Sequence, residues 1–328
     1  MRQYLLTSLL KEVSRSFYLT LRLLPQPIRP QISLAYLLAR ISDTIADTEV
    51  LPVPARLGAL CEFRETLEGK GRALLLLDFH DNQARTSDRT LMQRANEAIA
   101  LLSSFEPDDT QRIRSLLEII IGGQELDLLR FSDSSREQIK SLRHNEELDD
   151  YTYRVAGCVG EFWTRMCLAN LDGSVPDTDR LIEKGIRFGK GLQMVNILRD
   201  LPVDLRNGRC YIPNDELEKI NLKPTDLLLT ENESRFRPLY NRYLDRAQDH
   251  LQAGWEYTVS LPTNWRRVRL ACSWPILIGL ATLRKLRQEP ILDGNRRIKV
   301  SRKEVRGILV RSILLYPFKR KWNRLGRI

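Results

Sequence analysis

The chain has 328 residues, 42% hydrophobic and 29% charged, proportions that suit a globular protein with a sizeable core and exclude a disordered one. Five cysteines without a C-x-x-C pair argue against a disulfide framework and a zinc site, so the thiols are expected to be reduced. The net charge of +10 is concentrated: residues 296–328 carry twelve Lys or Arg against Glu304, which leaves −1 for residues 1–295.

Taken from the N-terminus, "MRQYLLTSLLKEVSRSF" lacks the apolar stretch and small-residue cleavage site of a secretory signal. No run of about 18 apolar residues follows anywhere. A cytoplasmic protein is therefore expected. After a break at "LLPQPIRP" (23–30), apolar residues recur at three and four along "RPQISLAYLLARISDTIA", which predicts a helix. A second break, "EVLPVPAR" (49–56), precedes two more helical patterns, "RTLMQRANEAIALLSSF" and "TQRIRSLLEIIIGGQELDLL". Further breaks fall at 171–180, 204–215 and 288–297, each too short for an interdomain linker. These patterns predict one all-α domain, residues 1–328, of roughly ten helices and no hairpin strands, ending in a basic tail from about 296.

Within these helices two stripes interrupt the apolar pattern. Tyr36, Arg40, Asp43 and Asp47 are separated by 4, 3 and 4; Gln193, Asn196, Asp200 and Asp204 by 3, 4 and 4. Each set shares one helical face. A single D-x-x-x-D most often marks a solvated face. Two pairs, each with an arginine at hand (Arg40; Arg199 beside Asp200), describe instead carboxylates, Mg²⁺ and guanidiniums around a diphosphate. Arg15, Arg206 and Arg209 add positive charge in "SRSF" and "RNGR". His80, His144 and His250 are scattered and receive no role.

"SRSF", "ARISDTIADT", "YTYRVAGCVGEFW" (151–163) and "GKGLQMVNILRDLPVDLRNGRCYIP" (189–213) resemble, in order and approximate spacing, the signature blocks of the squalene/phytoene synthase family. The resemblance implies an isoprenoid synthase fold whose helices surround a central cavity with two aspartate-rich helices facing across it. It implies head-to-head condensation of two prenyl diphosphates, with Asp43, Asp47, Asp200 and Asp204 as Mg²⁺ ligands. Arg15, Arg40, Arg199 and Arg209 then become diphosphate contacts, Gln193 and Asn196 line the cavity, and Tyr36 and Tyr151 stand near the carbocation or the departing diphosphate. Phe17, Leu37, Val155, Phe162 and parts of 271–283 are expected in the apolar wall, and Gly157 and Gly160 either admit substrate or pack a helix.

Where eukaryotic squalene synthases carry an acid before the last aspartate of each motif, this sequence has Ala46 and Val203. Pro202 predicts a kink or an end to the second helix. The leading reading is a squalene synthase acting on two farnesyl diphosphates, with Mg²⁺ and with NADPH as reductant, although no G-x-G-x-x-G is present. The alternatives are a presqualene diphosphate, dehydrosqualene or phytoene synthase. A one-substrate terpene cyclase lacks its D-D-x-x-D here, and a non-catalytic helical scaffold predicts eroded aspartates. Nucleic acid is not an expected partner. The tail, with Ile308, Leu309, Ile313 and Leu314 beside Lys and Arg and with Tyr316, Phe318 and Trp322 suited to headgroups, is expected to touch an anionic membrane surface peripherally, on its inner face.

Overall fold

The computed structural model describes residues 2–14, 17–83, 85–294 and 296–326. They are all-α, as the periodicity predicts, except for a two-residue parallel pairing of β1 (Lys140–Ser141) with β2 (Arg209–Cys210). The chain divides into two compact units, Met1–Ser132 with Phe162–Asp172, and Asp133–Glu161 with Gly173–Ile328.

The first unit contains α1 (Phe17–Leu23), α2 (Arg29–Asp47), α3 (Val53–Leu67), α4 (Thr86–Gln93) and α5 (Pro107–Arg130). Pro30 sits in the first turn of α2, where its missing N–H has no intrahelical partner to lose. Leu34, Leu38, Ile41 and Ile45, spaced by 4, 3 and 4, have no accessible surface. They fix the face of α2 that packs on α3 and α5. The same spacing displaced by two residues gives Tyr36, Arg40, Asp43 and Asp47, so burial of the apolar row turns the polar row away from that core.

The second unit contains α6 (Asn145–Thr152), a single π-helical turn (Tyr153–Gly157), the start of α7 (Cys158–Asn170), α8 (Thr178–Arg206), α9 (Glu233–Ser260), α10 (Arg266–Gln288), α11 (Arg302–Leu315) and α12 (Lys319–Asn323). Its core is the packing of α8 against α9 and α10. Asp177 caps α8 by accepting the amide of Arg180 at 2.9 Å. A Cβ on Gly160 would lie 1.9 Å from the Gly185 carbonyl oxygen, and one on Gly189 would lie 2.0 Å from that of Ala156. Backbone meets backbone there, which assigns Gly160 to helix packing.

Of the kink or end expected at Pro202, the end does not occur: α8 runs through the proline to Arg206. Proline removes the amide that would donate to the carbonyl of Leu198, four residues earlier. That carbonyl instead accepts the hydroxyl of Tyr240, on α9, at 3.0 Å. The helix ends where Asn207 donates to Val203 and Asp204, and Gly208, at φ +79°, turns the chain into β2.

The tail also departs from its sequence reading. Trp322 is 1% exposed, stacked near Trp255 (5.0 Å) and Tyr316 (5.2 Å), with the Arg269 guanidinium 4.9 Å above it. It is core and cannot meet headgroups. α11 is tied down by Trp274, whose indole N–H donates to Ser312 at 3.0 Å. Glu304, the one acid in residues 296–328, closes a capping box with Ser301, and hydrogen bonds from Ser301 and then Lys285 hold its pKa near 2. The apolar groups left exposed are Val310, Ile313, Leu314 and Phe318, whereas Ile308 and Leu309 are half-buried.

Candidate functional site

In the first unit Arg40 organises the acidic stripe. Its Nη1 donates to Asp43 at 2.5 Å and its Nη2 to Asp88 at 3.3 Å. Burial pulls the Arg40 pKa down, but Asp43 and Asp88 outweigh it, so the guanidinium is held charged. Asp43 responds in the other direction: desolvation raises its carboxyl above the ordinary carboxylate range, against the pull of Arg40, and Asp88 adds to the rise. The Asp43 side chain is nonetheless 45% accessible. A carboxyl packed round by protein yet open to small molecules is suited to an ion delivered from outside.

Tyr36 stacks on Phe17 (centroids 5.3 Å apart, 29°) and directs its hydroxyl to the Val13 carbonyl at 3.4 Å. Burial first of all pushes its pKa up to about 12, so it is a phenol at neutral pH. Asp47 lies exposed one turn beyond Asp43, at the end of α2. Phe162 is buried in this unit. Leu37 has no accessible surface, which places it in the core rather than in a cavity wall. Arg15 lies outside the described residues.

In the second unit the Arg199 guanidinium forks onto Asp200, Nε to Oδ1 at 2.9 Å and Nη2 to Oδ2 at 2.5 Å. This hydrogen-bonded pairing raises the Arg199 pKa, and Asp204 contributes in the same direction. Gln193 and Asn196 share the stripe, the Asn196 side-chain Nδ2 donating to Gln193 Oε1 at 3.4 Å. Arg209 is fixed just after α8 because the β1–β2 pairing brackets it: Lys140 donates to Gly208 at 2.9 Å and Leu142 to Cys210 at 3.1 Å. Tyr151 stacks on Tyr211 with centroids 4.6 Å apart and planes at 23°. Its helix α6 is anchored through Asp149, which accepts Lys190 of α8 at 2.7 Å and Arg246 of α9 at 3.2 Å. Burial lowers the His250 pKa to about 4, so it is neutral at physiological pH.

Two members of these clusters escape a sequence reading. Asp88, 7% exposed, reaches Arg40 from another helix, and no periodicity in "RTSDRT" marks it. Tyr211 adjoins the aspartate motif, but only the turn at Gly208 and the β1–β2 pairing give it a stacking partner.

Among the described residues no group of three or more His, Cys, Asp or Glu side chains converges closely enough to hold a metal unaided. The donor set still fits Mg²⁺, which binds through one or two carboxylates together with substrate phosphates. All the proposed ligands are hard oxygen donors, and Asp43 and Asp200 are each partly accessible and held beside an arginine.

Residues 10–304 match the model of the squalene/phytoene synthase family. The chain is 31% identical over 248 residues to the 15-cis-phytoene synthase of Synechocystis sp. (74% of this chain, 64% of that one). It is 27% identical over 240 residues to the bifunctional lycopene cyclase/phytoene synthase of Phaeosphaeria nodorum (73% of this chain, 38% of that one). The chain thus spans less than two thirds of the length of either relative. In fold it is similar to a TcSQS complex with the ligand E5700 (TM-score 0.77, 21% identity, 99% of this chain and 90% of that one). It is similar also to squalene synthase HpnC from Alicyclobacillus acidocaldarius (TM-score 0.62, 20% identity, 88% and 93%).

Proposed function

Because the chain belongs to the squalene/phytoene synthase family, we propose that residues 1–328 form one catalytic domain that joins two prenyl diphosphates head to head, both acidic stripes acting on substrate diphosphate. The observation that supports this reading most strongly is the repeated unit of an arginine clasped to a half-open aspartate, Arg40–Asp43 and Arg199–Asp200. A solvated helix face offers no reason to raise a carboxyl pKa by desolvation, as happens at Asp43.

In this reading Arg40, Arg199 and Arg209, with Arg15, take diphosphate oxygens by charge-assisted hydrogen bonds. Asp43, Asp47, Asp200 and Asp204 hold Mg²⁺, which when bound supplies positive charge to the departing diphosphate. Tyr36, protonated at neutral pH, donates a hydrogen bond and bases nothing. The faces of Tyr151 and Tyr211 stabilise the allylic cation by about 0.5–2 kcal/mol each. Gln193 and Asn196 orient the chain beside the second stripe, and Phe17 and Phe162 exclude water. The double bond of the second substrate attacks the cation, and loss of a proton closes a cyclopropane.

The product we favour is squalene from two farnesyl diphosphates, with NADPH as reductant; no residue is assigned to NADPH and no step is derived through it. The names of the curated relatives favour a second reading, phytoene from the C20 substrate. Incubation with farnesyl or geranylgeranyl diphosphate, with and without NADPH, and gas chromatography of the extract test both. Squalene formed only with NADPH supports the first, phytoene the second, dehydrosqualene or an accumulating presqualene diphosphate a synthase that stops short; no condensation product with Mg²⁺ present overturns the proposal. Tyr151→Leu is expected to slow cyclopropane formation in single-turnover mixing without changing circular dichroism, because it removes the aromatic face that meets the cation. Unaltered kinetics would reduce Tyr151 to a wall.

We further propose that the tail rests on an anionic bilayer that accepts the hydrocarbon product. No described helix is long and apolar enough to cross a membrane. A groove of about 540 Å³ is lined by Val310, Leu314 and Leu315 together with Arg311, Lys321 and Arg324, a mixture of apolar and cationic side chains that suits an acyl chain and its phosphate. Each basic group at such a surface contributes about 1 kcal/mol. The wild-type chain is expected to pellet with phosphatidylserine vesicles at low salt and release at high salt, whereas a Leu314→Ser/Phe318→Ser variant remains in the supernatant. Equal pelleting of the two would remove the apolar face from the contact.

A further inference from the structure

We infer that Tyr240 is a positioning residue for the second acidic stripe, its hydroxyl replacing the backbone donor that Pro202 deletes between Asp200 and Asp204. The inference rests on the reading that these aspartates serve the diphosphate. An interior proline costs an α-helix about 3 kcal/mol or more, through the lost hydrogen bond and the clash with the carbonyl four residues before it. A helix carrying two ligands one turn apart tolerates such a break poorly, since any bend there changes the angle between the carboxylates.

In α8 the break is spliced. Leu198 is 1% exposed, so its carbonyl has no recourse to water, and the Tyr240 hydroxyl reaches it at 3.0 Å. The geometry is held from the Tyr240 side as well. That ring has no accessible surface, leans on Phe236 (5.7 Å, 50°) and lies under the Arg237 guanidinium (5.4 Å). Burial raises its pKa strongly, which keeps the proton on the donor. Beyond the proline the helix closes as an ordinary one, with Asn207 donating to Val203 at 3.2 Å and to Asp204 at 3.0 Å. Asp204 therefore stays in helical register with Asp200 although the amide ladder between them has lost a rung.

The splice makes a specific prediction, because Pro202→Ala restores the deleted donor and renders the Tyr240 hydroxyl dispensable. In the metal-free protein, Tyr240→Phe, which keeps the ring, is expected to speed hydrogen exchange of the amides at 203–208 by roughly tenfold. In the assay it is expected to raise the Mg²⁺ concentration for half-maximal rate by a similar factor. Tyr240→Phe/Pro202→Ala should return both to near the wild-type values. Exchange unchanged in Tyr240→Phe, or accelerated without rescue by Pro202→Ala, overturns the splice. Exchange accelerated and rescued while the Mg²⁺ dependence stays at the wild-type value overturns the positioning role and leaves a structural one. Full activity of Asp200→Asn would instead overturn the underlying reading, whatever the exchange shows.

Discussion

Asp43→Asn and Asp200→Asn are each expected to lower kcat by more than about 10²-fold in a folded protein, the largest effect of any single change considered. Asparagine keeps size and hydrogen bonding but removes the negative charge that a hard cation needs, and each substitution leaves its arginine, Arg40 or Arg199, with one acidic partner fewer. Steady-state rates in excess Mg²⁺, and loss of wild-type activity in EDTA, measure it; near-normal turnover in either variant would remove that carboxylate from the metal. A second measurement on Asp43→Asn separates site from scaffold. The Asp43 pKa is raised on folding, so over the window that opens near the unfolded value of about 4 the native state holds a proton the unfolded chain has released. Stability contributed by that proton is present below the window and lost as pH rises through the folded pKa. In EDTA, wild type should therefore lose stability relative to Asp43→Asn as pH rises above about 4, measured by urea unfolding. A gain would mean that the Arg40 ion pair outweighs desolvation.

Trp322→Ala is expected to destabilise the chain by about 3–5 kcal/mol, read as a fall in the urea midpoint at constant m. The indole is sealed between Trp255, Tyr316 and Arg269, and no relaxation of three such neighbours fills the space it leaves. Among the described residues its N–H has no hydrogen-bond partner, so Trp322→Phe gives up little beyond volume and should retain most of the stability. A chain ending at Pro317 would shed this residue and also Asn323, whose carbonyl accepts the Trp255 indole at 3.0 Å. Truncation is for that reason a poor probe of membrane contact, and the vesicle experiment depends on surface substitutions. If Trp322→Ala unfolds like wild type, the last helix is an appendage.

What could be read from the sequence was whatever the chain repeats locally. The 4-3-4 spacing of Leu34, Leu38, Ile41 and Ile45 and the matching spacing of Tyr36, Arg40, Asp43 and Asp47 carry the α2 core face and the acidic stripe at once. What could not be read depends on distant partners. Asp88 joins Arg40 from α4, and Tyr240 reaches Leu198 from α9; neither has a local signature. Of the kink or end predicted at Pro202, the end does not occur, and the carbonyl that the proline leaves without its amide donor is served from another helix. Trp322 was misread because an aromatic among lysines suits headgroups in any window that excludes Trp255.

The π turn at Tyr153–Gly157 acts as a change of phase. Its hydrogen bonds span five residues where α-helical ones span four, so it holds one residue more than the helix needs. Everything before it is rotated by about 100° relative to an uninterrupted helix. One wheel drawn through 145–170 would thus assign faces wrongly on one side or the other. The surplus residue lets two demands be met that a straight helix would set against each other. Downstream, Gly160 stays backbone-to-backbone with Gly185 of α8, an approach with no room for rotation. Upstream, Tyr151 is free to take the azimuth at which its ring lies over Tyr211.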